Sequence, residues 1–283
     1  MTQRKKYEQF KALHERAGVF VIPNPWNAGT ARMLTALGFE ALATTSAGYA
    51  FSVGRRDSAA ALGREEILEN ARDIVNATHL PVSADLEGGF GSAPETCAET
   101  IRFASGVGLV GGSIEDATGD PTDPIFDFEM SIERVAAACD AARDRPFLVT
   151  ARAENFLYGR PDLDDTIERL QAFAKAGADV VYAPGLPSLD AIRTVCGAID
   201  KPVNVVMGLN GSTFSVEDLQ SVGVKRISVG GAFARAALGA FMRAAREVKE
   251  QGTFSFAAEA ISDAEASGYM AETGKSGPPG SLP

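Results

Sequence analysis

The stretch Pro81-Val82-Ser83-Ala84-Asp85-Leu86-Glu87-Gly88-Gly89-Phe90-Gly91 sets two carboxylates two residues apart at the end of an apolar run. A proline followed by β-favouring and apolar residues reads as a buried strand, in which residues two apart leave the same face. The glycines behind it let the backbone turn away. Carboxylates at the end of a buried strand are costly unless paired. A cation is therefore expected beside Asp85 and Glu87, and a divalent metal ion is the first choice. The plainer alternative is that one of them caps the next helix.

Other oxygen groups fall where further apolar runs end. They are Thr44-Thr45-Ser46-Ala47-Gly48-Tyr49 (a hydroxyl-and-backbone cradle suited to a carboxylate), Asp57, Glu115-Asp116, Arg152 with Glu154-Asn155, and Asn204. An all-oxygen set favours Mg²⁺ or Mn²⁺ over zinc. Mg²⁺ keeps several waters, so only one or two of these acids need touch it. Arg152 is then available as a bidentate clamp on a substrate carboxylate, or it neutralises Glu115 or Glu154. Gly230-Gly231 reads either as a phosphate site or as close packing. The absences are equally informative. His14 lies in a leading helix, His79 just before a strand, and Cys97, Cys139 and Cys196 in helices. Every lysine lies in a helix, just before a strand or in a tail. A zinc–histidine site, a Cys/His nucleophile and a Schiff-base lysine are not expected.

The elements that must position these groups alternate regularly. After a helix over about 3–17, strands are expected at 19–24, 41–46, 81–87, 109–115, 147–152, 180–185, 202–208 and 226–231. Helices are expected near 27–37, 64–77, 94–105, 129–143, 162–176, 188–197, 215–221 and 232–250. Short apolar strands alternating with amphipathic helices mean a parallel sheet covered on both faces, and eight units make a (β/α)8 TIM barrel. Strands two, four, six and eight are introduced by Gly38, Gly106, Gly177 and Gly223, strands three, five and seven by Pro81, Pro146 and Pro202. This alternation echoes the layered packing of such barrels, whose active sites lie at the C-terminal strand ends. Asn24-Pro25-Trp26-Asn27-Ala28-Gly29 is not the glycine fingerprint of a dinucleotide fold. Residues 1–250 are expected to form the barrel with its leading helix, and 251–283 a helical extension with a flexible tail from 274.

Composition narrows the partners. At 283 residues with 45% hydrophobic content the chain can bury a large core, and its formal charge of −10 disfavours nucleic acid and anionic membrane. The unclustered cysteines, and the lack of a signal core or long apolar run, point to the cytoplasm.

In order and spacing, Thr45-Ser46-Ala47-Gly48, Asp85-Leu86-Glu87-Gly88-Gly89-Phe90-Gly91, Ile114-Glu115-Asp116 and Ala151-Arg152-Ala153-Glu154 resemble the isocitrate lyase/phosphoenolpyruvate mutase superfamily over residues about 19–250. The resemblance implies a Mg²⁺-dependent barrel that binds 2-oxo or 2-hydroxy carboxylates and passes through a pyruvate-type enolate. It implies that Asp85 is the direct metal ligand and that Asp57, Glu87 and Glu115 hold metal waters. Ser46 and Gly48 would donate to the substrate carboxylate and Arg152 would clamp it, while Ala47 and Asn204 are further candidate contacts from their own places at the strand ends. It also implies a homodimer or homotetramer, with the last barrel helix exchanged between subunits.

One segment departs from the family. Lyases carry a Lys-(Lys/Arg)-Cys-Gly-His segment after strand four, and mutases a lysine and an asparagine. Residues 115–129 here hold no Cys, Lys, Arg, His or Asn. After strand six the lyases have a glutamate, and this chain has Pro184-Gly185. The reaction compatible with an oxygen-only rim and no loop acid is carbon–carbon cleavage of a small 2-oxo or 2-hydroxy acid, oxaloacetate decarboxylation being the favoured case. Tyr49, Tyr158 or water would protonate the enolate. The alternatives are a phosphonopyruvate mutase or hydrolase, and a non-catalytic 2-oxo acid binder.

Overall fold

A computed structural model describes residues 1–57, 61–209 and 213–271. Helix α1 (Gln3–Glu15) comes first, then β1 (Phe20–Ile22), α2 (Ala28–Ala36), β2 (Leu42–Ala43) and α3 (Ser46–Ser52). Next are α4 (Arg64–Ala77), β3 (Val82–Asp85), α5 (Pro94–Gly106), β4 (Gly111–Glu115), α6 (Phe128–Ala142) and β5 (Leu148–Arg152). The series continues with α7 (Leu163–Lys175), β6 (Val180–Tyr182), α8 (Leu189–Ala198), β7 (Val203–Val206), α9 (Val216–Ser221), β8 (Arg226–Ser228) and α10 (Ala232–Gln251). A 3-10 turn (Ser255–Ala258) and α11 (Asp263–Met270) end the described chain.

The eight strands pair in parallel, in the order β1-β8-β7-β6-β5-β4-β3-β2, as a nearly closed TIM-barrel-like sheet. Where β1 meets β2, the Ala43 N–H donates to the Pro23 carbonyl at 3.0 Å. The Asn24 amide adds a donation to the Thr44 carbonyl at 2.9 Å and accepts from the N–H groups of Val229 and Gly230, both at 2.9 Å.

Burial on both faces explains why the strands read as continuous apolar runs. The helices read as amphipathic because one stripe packs on the sheet: in α4 this is Ile67, Leu68, Ala71 and Ile74. On α1, Phe10 and Leu13 pack with Phe20, Ile22, Val110 and Leu148 at the N-terminal ends of the strands.

Three expectations need correction. Strand β3 stops at Asp85, and Glu87 takes a left-handed φ of 48°, so the same-face argument does not reach Glu87. The Thr44–Tyr49 cradle is the entry to a short helix, α3, capped by Thr45 Oγ1. The left-handed stop before β4 is Gly108, since Gly106 still belongs to α5. The extension beyond α10 folds back on the barrel, with the Arg32 guanidinium donating to the carbonyls of Met270 and Ala271. The tail from 274 lies outside the described residues.

Candidate active site

The C-terminal ends of β3, β4 and β5 bring their acids around one cation. Strand register sets Glu115 beside Arg152, and Arg152 beside Tyr182 of β6. The Arg152 guanidinium spends its fork on three carboxylates: Asp85 Oδ1 at 3.1 Å, Glu115 Oε2 at 3.1 Å and Glu154 Oε1 at 2.8 Å. It also stacks on the Tyr182 ring, 4.9 Å from the centroid. Burial opposes its charge, but Glu115 and Glu154 outweigh that and hold its pKa well above normal.

One guanidinium does not balance these acids. Burial raises the Glu115 carboxyl well above its ordinary range, and Arg152 only partly offsets this against Glu154, Asp85 and Glu87. Asp57, exposed in the loop after α3, is raised by desolvation and then by Asp85. The site therefore carries a surplus of negative charge on hard oxygen donors. Among the described residues no three acid, His or Cys side chains close into a ready-made metal shell. Mg²⁺ keeps several waters and needs only one or two protein carboxylates.

Asp85 is held from two further sides. Ser46 donates to its Oδ2 from both Oγ (2.7 Å) and backbone N–H (3.2 Å). The Ser46 hydroxyl thus serves the carboxylate predicted to bind metal, while Ala47 sits against Gly231 and the Gly48 N–H caps onto Thr45 Oγ1. A Cβ at Gly48 would meet Thr45 at 2.7 Å and Trp26 at 3.1 Å, so only glycine fits.

The loop after β3 is pinned by Arg134 of α6, a residue sequence reasoning passed over. Its buried guanidinium donates to the carbonyls of Gly88, Gly91 and Ser92 and stacks on Phe126 at 4.1 Å. Arg169 of α7 does the same for the next loop, bonding Asp116, the Phe126 carbonyl and Ser131. Burial pushes the Asp116 carboxyl up to about 7 despite that pairing. The departing segment forms a small hairpin with an Ala117–Ile125 bridge, tied outward by Asp123 to Arg160. Between it and α4 opens a cleft of about 740 Å³ lined by Glu87, Glu115, Thr118 and Arg64.

Of the remaining candidates, Asn204 lines a smaller cavity of about 60 Å³ inside the barrel, below Asp85 and Arg152, with its amide bonded to Ser228 and Arg226. Tyr158, exposed just beyond β5, lies within electrostatic reach of the acids: burial, then Glu115 and Glu154, push its phenol up to about 12. Tyr49 is not brought to them. The groups acting on its hydroxyl are Glu66, Glu69, Arg55 and Asp73, on or beside α4. His14 bonds the Phe10 carbonyl, and of the three free cysteines Cys97 packs under the loop after β3, its Sγ 3.8 Å from the Gly88 carbonyl.

Comparison with known proteins shows what the chain is similar to. Residues 10–249 match the family model described as phosphoenolpyruvate phosphomutase. A Burkholderia cenocepacia J2315 protein with the provisional description lyase/mutase is 57% identical, with a TM-score of 0.93 over 96% of this chain and 97% of that one. The structure of a 2,3-dimethylmalate lyase superposes with a TM-score of 0.84 at 25% identity, covering 94% and 95%. The 2-methylisocitrate lyase of Escherichia coli K12 is 28% identical over 224 residues, 76% of this chain and 75% of that protein.

Proposed function

Since the chain belongs to the phosphoenolpyruvate mutase/isocitrate lyase superfamily, we propose that it is a Mg²⁺-dependent carbon–carbon lyase of small 2-oxo or 2-hydroxy acids, with oxaloacetate decarboxylation as the leading case. The observation that carries this reading is the surplus of buried carboxylate around Arg152, with no cysteine, lysine or histidine among the groups paired with it in the described residues. Asp85 is the residue to touch the ion, with Asp57, Glu87 and Glu115 holding its waters. When bound, Mg²⁺ supplies the Lewis acidity that stabilises enolate charge.

The chain's own groups do the rest. Arg152 clamps the substrate's C1 carboxylate, exchanging one of its present acid partners for it. The Ser46–Gly48 turn and Asn204 shape the carboxylate end of the pocket. Breaking C3–C4 releases CO2 and leaves the electron pair on the pyruvate skeleton, and the Tyr158 hydroxyl, held protonated, returns a proton to C3. Purified protein with Mg²⁺ should release pyruvate from oxaloacetate faster than Mg²⁺ alone. No excess rate, with oxaloacetate or with alkylmalate-type acids, would sink the reading.

A phosphonopyruvate mutase is the second reading, favoured by the family model's own description. A ³¹P assay with phosphonopyruvate separates it from the first. A binder without turnover would show Mg²⁺-dependent 2-oxo acid binding by calorimetry and no product. We further propose a homodimer or homotetramer. Within α10 only Ala234 is buried, while Phe233, Leu238, Phe241 and Met242 are exposed, an apolar face that a second copy would cover. Light scattering of the purified chain reads this directly.

A further inference from the structure

Beneath the carboxylate rim the barrel interior holds a second guanidinium, that of Arg226 on β8, only 5% exposed. Its hydrogen bonds go to neutral groups: Nε to Asn204 Oδ1 at 2.7 Å, Nη2 to Thr150 Oγ1 at 3.0 Å, and Nη1 to His14 Nε2 at 3.3 Å. His14 is itself uncharged, since burial and then Arg226 lower its pKa to about 3. The other buried arginines are answered. Arg152 and Arg169 face carboxylates, and Arg134 is ringed by three carbonyl oxygens. Among the described residues no carboxylate forms an ion pair with Arg226, and desolvation dominates its environment. A buried cation without a counter-charge is unfavourable.

The same guanidinium lines the barrel cavity of about 60 Å³, together with the hydroxyls of Ser83, Ser113, Thr150 and Ser228. Thr150 Oγ1 accepts from Arg226, so its own proton is free to turn elsewhere. Asp85 closes the upper end of the cavity but is already held by Ser46 and Arg152. The lower end is therefore electropositive, donor-rich and small.

We infer that this cavity binds one small monovalent inorganic anion, of halide size, between the Arg226 guanidinium and the surrounding hydroxyls. The inference does not rest on the proposed reaction: the ion would neutralise the barrel's interior whichever carboxylate the rim takes. A cavity of about 60 Å³ holds a monatomic ion together with a few waters.

The test uses the intact chain at matched ionic strength in chloride, bromide or gluconate, the last being too large to enter. Halide should raise Tm over gluconate, by roughly 2 °C per tenfold increase above its dissociation constant. Arg226→Gln should abolish that difference. Should this variant not fold, crystals of the unaltered protein grown in bromide decide: an anomalous peak in contact with Arg226 supports the site. Equal Tm in chloride and gluconate, or a cavity holding only water in bromide crystals, overturns it.

Discussion

Replacing Arg152 by methionine keeps the stem of the side chain and removes the guanidinium shared by Asp85, Glu115 and Glu154. The three ion pairs it makes span 2.8–3.1 Å, between side chains only 2–21% exposed, so solvent screens them weakly. Breaking a buried ion pair by removing one partner costs about 3–5 kcal/mol. With about 2.1 cal/mol/K of unfolding entropy per residue, a chain of 283 residues loses roughly 5–8 °C in Tm. The deficit should depend on pH with a definite sign. Burial already lifts the Glu115 carboxyl, and Arg152 is the group that holds it down. Without the guanidinium its folded pKa climbs further above the unfolded one. The carboxyl then favours folding below the unfolded pKa, and that contribution is lost as pH rises through the folded pKa. Tm of the variant should therefore trail the parent most at pH 8 and least at pH 5. Millimolar Mg²⁺ should recover more of the loss in the variant than in the parent. Scanning fluorimetry across pH, with and without Mg²⁺, measures all of this. An equal Tm loss at pH 5 and pH 8, unmoved by Mg²⁺, would refute the picture of a carboxylate cluster short of positive charge.

Tyr158→Phe should lower kcat for pyruvate release by about 100-fold with KM little changed; an unchanged kcat would assign the protonation to water. Asp85→Asn should abolish Mg²⁺ binding by calorimetry, and retained binding would move the metal to another acid. Arg134→Met strips three donors from the loop behind Asp85, so Tm should fall by about 5 °C, for roughly 3 kcal/mol, and turnover should fall with it. His14 has its pKa depressed to about 3 by burial and Arg226, so its contribution is present above the unfolded value and lost as pH falls below it. At pH 5 that loss is about 2 kcal/mol, and His14→Gln should flatten the decline of Tm between pH 7 and 5.

The repeating frame was legible because strand and helix periods leave marks in local sequence. Helix α4 spans 64–77 as read, since Gly63 opens it, Glu65 and Glu66 favour its first turn, and its apolar stripe ends with it. Glu87 was misjudged because alternation was carried past the end of β3, where the turn forces a left-handed backbone on a non-glycine residue. Arg134 and Arg169 did leave a signal. Each sits on the apolar face of its helix, among Ser131, Val135 and Ala138 or Thr166, Leu170 and Phe173. Which neighbouring loop each one ties is tertiary information that no local period carries. Tyr182 was passed over for the same reason: it meets Arg152 through the β5–β6 register, which neither strand encodes alone.

The Asn24 amide between β1 and its neighbours has a mechanical consequence. A closed barrel behaves as a hoop, as strong as its weakest stave joint. With β2 only two residues long, the joint between β1 and β2 has almost no ladder of its own. One side chain bridges it, giving a proton to Thr44 on one side while its oxygen takes two from Val229 and Gly230 on the other. Aspartate has no proton to give and leucine has neither capacity, so either would leave the first and last strands linked while the hoop stood ajar beside the carboxylate rim.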